Sequence, residues 1–203
     1  YELTKALLKE SGIEWFGSEG KELYVERESN RIAFSGYCCY SSNPLRCVNS
    51  GEYGVNAYDL GTVQECLAKN NAEGYLNIMA VHAGIEHVNY PSRDHVRAAR
   101  MLADICQCVY YGHHPHVIQG VEEYKGSLIA HSLGNFCFDD VSADASADKP
   151  LVELTENNRT GMILELTIEN NQVTDWKEKI IYIPKDGAIK LIDNPESLKE
   201  YNS

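Results

Sequence analysis

The stretch "YLNIMAV", residues 75–81, constrains this chain more than any other. Its apolar residues alternate too little with polar ones for a strand with one face in water. A strand covered on both faces belongs inside a sheet, and parallel sheets supply that environment through crossover helices. The flanking segments have the matching pattern. Before it, Leu60, Val63 and Leu67 recur at helical spacing until Gly74. After it, Pro91 and Ser92 open a second helix, with Ser92 as N-cap and Asp94 in the first turn, where negative charge is favourable. Val96, Ala99, Ala103 and Cys106 mark the inner side of that helix, "CVYYG" is the next strand, and "SLIAHSLGNF" the one after. Strands that alternate with helices predict a layered α/β fold.

The periphery reads as hairpins and loops. "YELTKALLKESG" is helical, with Leu3, Ala6 and Leu7 on one face and Gly12 as the stop, and "IEWFG" reads as a short buried strand. "KELYVERESNRIAFSGYCCY" predicts a hairpin turning at "ESN", and "TGMILELTIENNQVTDWKEKIIYIP" a second turning at "ENNQ". Residues 141–149, in the acidic "DDVSADASADKP", offer no apolar anchor and are expected to form a mobile, solvated loop rather than a cation site. "NPESLKEYNS" is expected to form a short terminal helix.

Bulk chemistry excludes several classes. With 30 acidic against 18 basic residues the net charge is -12, and no basic run occurs, so duplex nucleic acid is not an expected partner. No apolar run reaches the roughly 20 residues of a bilayer-spanning helix. The seven cysteines match no zinc-module spacing and are read mostly as small buried hydrophobes, with adjacent Cys38 and Cys39 on opposite faces of a strand. That usage leans towards a reducing compartment. Nucleophile-elbow, P-loop and dinucleotide motifs are absent.

Histidine is where chemistry concentrates. "YYGHHPHVIQG" places His113, His114 and His116 at the end of one apolar strand, and "IMAVHAGIEHVNYPS" places His82 at the end of the preceding one. In open α/β sheets, ligands bind beyond the carboxyl ends of the strands. If the two strands are parallel neighbours, these imidazoles share one mouth, with Gly84 and Gly112 allowing tight turns beside it. Proline fixes its own φ and biases His114 to an extended conformation, which stiffens the H-P-H triplet. Imidazole suits Zn, Mn, Fe or Ni, and Glu86 is the carboxylate nearest in the same strand-end loop. His87 and His95 are read as surface residues, and His131 either as a buried, hydrogen-bonded core residue or as part of the site's rim.

These segments resemble a known family. "VHAGIEHVNYPS", followed by "GHHPHVIQGVEEYKGSLIAHSLGNF", is similar to the poly-γ-glutamate capsule biosynthesis proteins of the CapA type, within the calcineurin-like metallophosphoesterase superfamily. His82, Gly84 and Glu86 match a first motif. Gly112 to Val117 with Gln119 and Gly120 match a second, and Ser132 to Phe136 a third; Ala83 and His131 replace the usual tryptophan and tyrosine. The resemblance implies an αββα sandwich with mixed sheets, and His82, His114 and His116 as ligands of one or two divalent ions such as Mn, Fe or Zn. His113 and Glu86 are the candidate catalytic residues. The family's early Gly-Asp, strand-end Glu and Asn-Asn-His-x-x-Asp motifs do not occur in this chain, so residues 1–203 are expected to be the C-terminal portion of a longer domain. Three functions are expected from the likeness: a part in capsule synthesis or export within a synthase complex, a phosphoesterase acting on a small or cell-envelope phosphorylated substrate, or a non-catalytic scaffold. The resemblance points to the bacterial cell envelope, whereas cysteine content points to the cytoplasm.

Overall fold

The parallel core forms where the apolar runs require it. The computed structural model describes residues 2–42, 47–48, 54–141, 151–185 and 188–192. Helix α1 (Glu2–Glu10) leads to a hairpin of β1 (Leu23–Arg27) and β2 (Asn30–Cys38). A small parallel pair, β3 (Cys47–Val48) and β4 (Val55–Asn56), comes next, then α2 (Leu60–Ala72), β5 (Leu76–His82), α3 (Arg93–Ala103) and β6 (Cys108–His113). The chain continues through β7 (Val121–Tyr124), β8 (Ser127–Ala130), a one-turn helix α4 (Glu156–Arg159), the long hairpin β9 (Thr160–Glu169) and β10 (Gln172–Tyr182), and β11 (Lys190–Ile192). The main sheet has six strands in the order β1-β2-β5-β6-β8-β7; the β2-β5, β5-β6 and β6-β8 pairs are parallel and both edge pairs antiparallel. A second sheet has the order β11-β10-β9.

Because β2, β5 and β6 step across the sheet in one direction, same-handed crossovers put α2 and α3 on the same face. There Val63 and Leu67 of α2 and Ala99, Leu102 and Ala103 of α3 pack on Met79, Val81, Tyr110 and Ile129. Ile78, Val109 and Leu128 point the other way and are covered by Leu164, Leu166, Ile168 and Trp176 of the β9–β10 hairpin. The layers are thus helix, mixed sheet, sheet: the layered metallophosphoesterase-like arrangement. The outward residues of β9, Ile163, Glu165, Thr167 and Glu169, are exposed. Asn77, the polar residue in the apolar run, is fully buried, accepts a hydrogen bond from Asn70 Nδ2 (3.0 Å) and donates to the Leu67 carbonyl (3.3 Å). A buried amide with its bonds made costs little, so β5 tolerates it.

Several local expectations change. Residues 13–17 form no strand: Ile13 is exposed, and the segment is held by Phe16 packing at a tilt against Phe34 and by Gly17 lying against Gly36. The pattern of α1 is helical as expected, yet Leu3 and Leu7 are 72% and 53% exposed and the helix buries no residue. Strand β7 pairs with β8 as an edge hairpin that the apolar pattern does not announce. Beyond Val141, which pairs with Val152, the loop expected over residues 141–149 lies outside the described residues, as does the terminal helix expected near residue 200. Cys108 is buried, Cys66 and Cys106 partly so, and Cys137 is exposed.

Burial decides which substitutions matter. Leu67→Ala removes a fully buried side chain from the helix–sheet layer and is expected to destabilise the protein by about 2–5 kcal/mol, whereas Leu7→Ala should fall within about 0.5 kcal/mol. Urea unfolding midpoints of the two variants decide this. Equal midpoints would mean that the α2 layer is not packed as described.

Candidate functional site

Register places the histidines. β5 and β6 pair so that His82 stands opposite His113, and one further bond, from the Ala83 amide to the His113 carbonyl (3.0 Å), keeps the two strand ends together. Past that point both chains turn over the same edge. His82, His113, His114 and His116 line one cavity of about 370 Å³ with Gly134, Asn135, Phe136 and Cys137. The ring centroids of His82 and His114 are 4.9 Å apart and those of His114 and His116 6.4 Å apart. A second cavity of about 500 Å³ shares His82 and His113 and extends to Phe16, Gly36 and Ala80.

The backbone at this edge is strained. His114 and His116 take φ of 103° and 57°, values that side-chain-bearing residues rarely adopt. The extended conformation expected for His114 from its following proline is therefore not the one found. Tertiary packing overrides the local bias: Pro115 is fully buried, and its carbonyl accepts a hydrogen bond from the His87 amide (2.8 Å). Its ring sits where a Cβ on Gly84 would approach to 2.8 Å, and Gly84 itself has φ 133°. Gly112 serves differently from the turn expected of it. It lies within β6, and a Cβ there would meet the His131 carbonyl at 1.9 Å, so it permits close backbone approach.

A layer of amides backs the rings. His116 Nδ1 lies 2.8 Å from Asn135 Oδ1, and Asn135 Nδ2 donates to the Asn158 carbonyl (3.0 Å). Asn158 Nδ2 donates to the His116 carbonyl (3.0 Å) and lies 2.9 Å from His87 Nδ1. Asn158 is presented by α4, where Thr155 and Asn158 form a reciprocal capping box. Phe138 packs on the His116 ring at 5.0 Å, and His87 stacks on it at 6.3 Å.

Electrostatics favours neutral rings. Burial pushes the pKa of His82, His113 and His114 down. For His82 the neighbouring imidazoles of His114, His113 and His116 add to the effect, while the negative charge of Glu86 pulls both His82 and His114 the other way. A neutral imidazole keeps a lone pair, the form that ligates a metal or accepts a proton. Fit to a divalent ion is therefore good in donor chemistry and open in spacing: among the described residues, no three His, Cys, Asp or Glu side chains come together closely enough to hold an ion as they stand.

The remaining candidates divide between site and core. Glu86 is exposed and acts on the cluster through its charge, and it does not line the 370 Å³ cavity. His131 is a core residue, buried, with Nε2 3.1 Å from Glu122, which also binds Arg100. His95, read as a surface residue, is half-buried: its Nδ1 lies 2.9 Å from the N-cap Ser92 Oγ, burial pushes its pKa down, and the imidazoles of His131 and His114 push it the same way. His87, read as a surface residue, is exposed as expected, and its ring also meets the Asn158 amide. Asn158 was not identifiable from sequence, since its weak helix-cap spacing says nothing of a residue 42 positions away.

A mixed α/β sandwich with imidazoles gathered at the carboxyl ends of its parallel strands defines a protein of metallophosphoesterase-like fold. Residues 2–140 match the family described as bacterial capsule synthesis protein PGA_cap, and the chain belongs to that family. It is 33% identical over 108 residues to the PGA biosynthesis protein CapA of Bacillus subtilis (strain 168), an alignment covering 53% of this chain and 28% of that protein. It is 41% identical over 71 residues to the capsule biosynthesis protein CapA of Bacillus anthracis, covering 35% of this chain and 17% of that protein. The chain thus spans well under half the length of these relatives.

The lowered pKa values carry a sign for stability. A histidine whose folded pKa lies below its unfolded value of about 6.5 takes up protons more readily when unfolded. Its contribution is intact above about pH 6.5 and is lost as pH falls through the folded values. The urea midpoint, measured in chelator, is expected to drop between pH 7.5 and 5, and His113→Asn should flatten the dependence. A midpoint that is flat or rises on acidification would contradict the burial of these rings.

Proposed function

We propose that this chain acts in poly-γ-glutamate capsule synthesis and that its strand-end histidines hold a divalent transition metal, with His82, His114 and His116 as ligands. Family membership and the names of the two CapA relatives support the first part. One observation carries the second: the backbone is strained at both His114 and His116, and their rings share a cavity with His82. Strained φ at residues other than glycine persists where the surrounding structure enforces it, and it concentrates at functional sites. When bound, such an ion polarises a phosphoryl oxygen and acidifies a bound water. His113, lining the cavity, is the residue proposed to move a proton there, and Glu86 tunes the imidazoles from outside.

The scaffold reading has an observation in its favour, the open spacing of the donors. Metal content separates the two. After equilibration with Mn²⁺ or Zn²⁺ and removal of excess, elemental analysis should find metal in the wild type, a loss of about tenfold or more in His116→Ala, and wild-type content in Lys9→Ala, on the exposed helix α1. His95 is unsuited as the control because of its proximity to His114. Equal metal in all three proteins, or none in any, would leave the scaffold reading standing. Hydrolysis of a generic phosphodiester that requires added Mn²⁺ and is lost in His113→Asn would extend the proposal to catalysis.

A further inference from the structure

The amide layer determines which nitrogen of each ring carries the proton. Carbonyl oxygens accept and cannot donate, so each carboxamide facing one is fixed in orientation. Asn135 directs one end at the Asn158 carbonyl (3.0 Å); that end is the NH₂, and the end 2.8 Å from His116 Nδ1 is the oxygen. An amide oxygen opposite a ring nitrogen requires a proton on that nitrogen. Asn158 is fixed twice over. Its Oδ1 receives the Thr155 amide (3.2 Å) and hydroxyl (2.7 Å), and its Nδ2 faces the His116 carbonyl (3.0 Å). The second hydrogen of that NH₂ points at His87 Nδ1 (2.9 Å), which must accept it.

We propose that Asn158 and Asn135 are positioning residues that hold neutral His116 with its proton on Nδ1 and its Nε2 lone pair available to a ligand, while holding His87 in the opposite tautomer, with its proton on Nε2. Both residues are nearly inaccessible, at 6% exposure for Asn135 and 2% for Asn158, which shields the bond between them from water. Asn135 belongs to the "SLGNF" segment, and the frame gives that segment a task. Asn158 lies beyond residues 2–140, where the family match ends. Two stacked rings of complementary character result: an acceptor nitrogen on His116, against which Phe138 packs, and a donor N–H on His87. Use of the His116 lone pair by a metal rests on the reading of the site proposed above; the tautomers do not.

The test is a long-range ¹H–¹⁵N correlation spectrum of protein labelled with ¹⁵N-histidine, in chelator and at a pH where the rings are neutral. His116 is expected as the Nδ1–H form and His87 as the Nε2–H form. Asn135→Asp retains the acceptor and should leave His116 unchanged, whereas Asn135→Leu should give a mixture of tautomers. Asn158→Asp replaces the donor facing His87 by an acceptor and should switch His87 to Nδ1–H. The wild-type spectrum suffices if a variant fails to fold: His116 protonated on Nε2, or His87 protonated on Nδ1, overturns the proposal. Zn²⁺ titration of the same samples addresses the metal separately. A fall in affinity of about tenfold or more in Asn135→Leu, with Asn135→Asp close to wild type, supports both readings. Tautomers as assigned with no Zn²⁺ binding in any sample removes the metal and confirms the frame.

Discussion

The parallel pairing of β5 with β6 is the constraint on which the rest of the structure depends. Each strand is covered on both faces, by α2 and α3 on one side and by the β9–β10 hairpin on the other. A one-residue slip would exchange the two faces and set each side chain against the wrong apolar layer, so the register is specified by the fit of the packing. That register sets His82 opposite His113 and brings the loops after both strands out at one edge. The site is therefore a consequence of how the core packs, and the backbone of its first two histidines is part of the sheet.

The loop after β6 is held in another way. His114 and His116 occupy backbone conformations that cost on the order of 1–3 kcal/mol each, and nothing in the strand enforces them. The compensation is local. Pro115 is fully buried, Gly84 makes room for its ring, and Asn158 ties the His116 carbonyl to α4. The Arg159 guanidinium, fully buried at the end of α4, donates to Asp140 (2.6 Å) and to the Ile183 carbonyl (3.3 Å), and so fixes the same helix to the segment downstream of Asn135. Breaking a buried ion pair leaves an uncompensated charge, which makes such a fastening stiff. Residues from four separated parts of the chain thus define the aim of one ring.

The range of each interaction decides how much of this was legible in the sequence. The order β5–α3–β6, the Ser92 cap and both hairpins rest on periodicity and local turn chemistry, which neighbouring residues display directly. The gathering of His82, His114 and His116 was also legible, because position at a strand end converts into position at a sheet edge. "IEWFG" misled because its apolar residues pack as a non-strand segment against Gly36, and a short apolar run carries no sign of its partner. The φ of His114 ran against the expected extended form because the burial of Pro115 outweighs the steric preference of the residue before it. Asn158 and His87 were illegible for the plainest reason: their contacts to the site span 42 and 29 positions of sequence, with no periodic pattern connecting them.

The character of the donors bears on what the cavity can hold. Among the described residues its lining has four imidazoles and no carboxylate, and burial keeps His82, His113 and His114 towards their neutral forms. An ion held by neutral ligands retains its full positive charge, so it attracts anions and acidifies bound water more than one whose charge is cancelled by carboxylates. Glu86 is close enough to raise the basicity of His82 and His114, yet its side chain stays in solvent and outside the cavity. A carboxylate so placed raises the basicity of the imidazoles without entering the cavity.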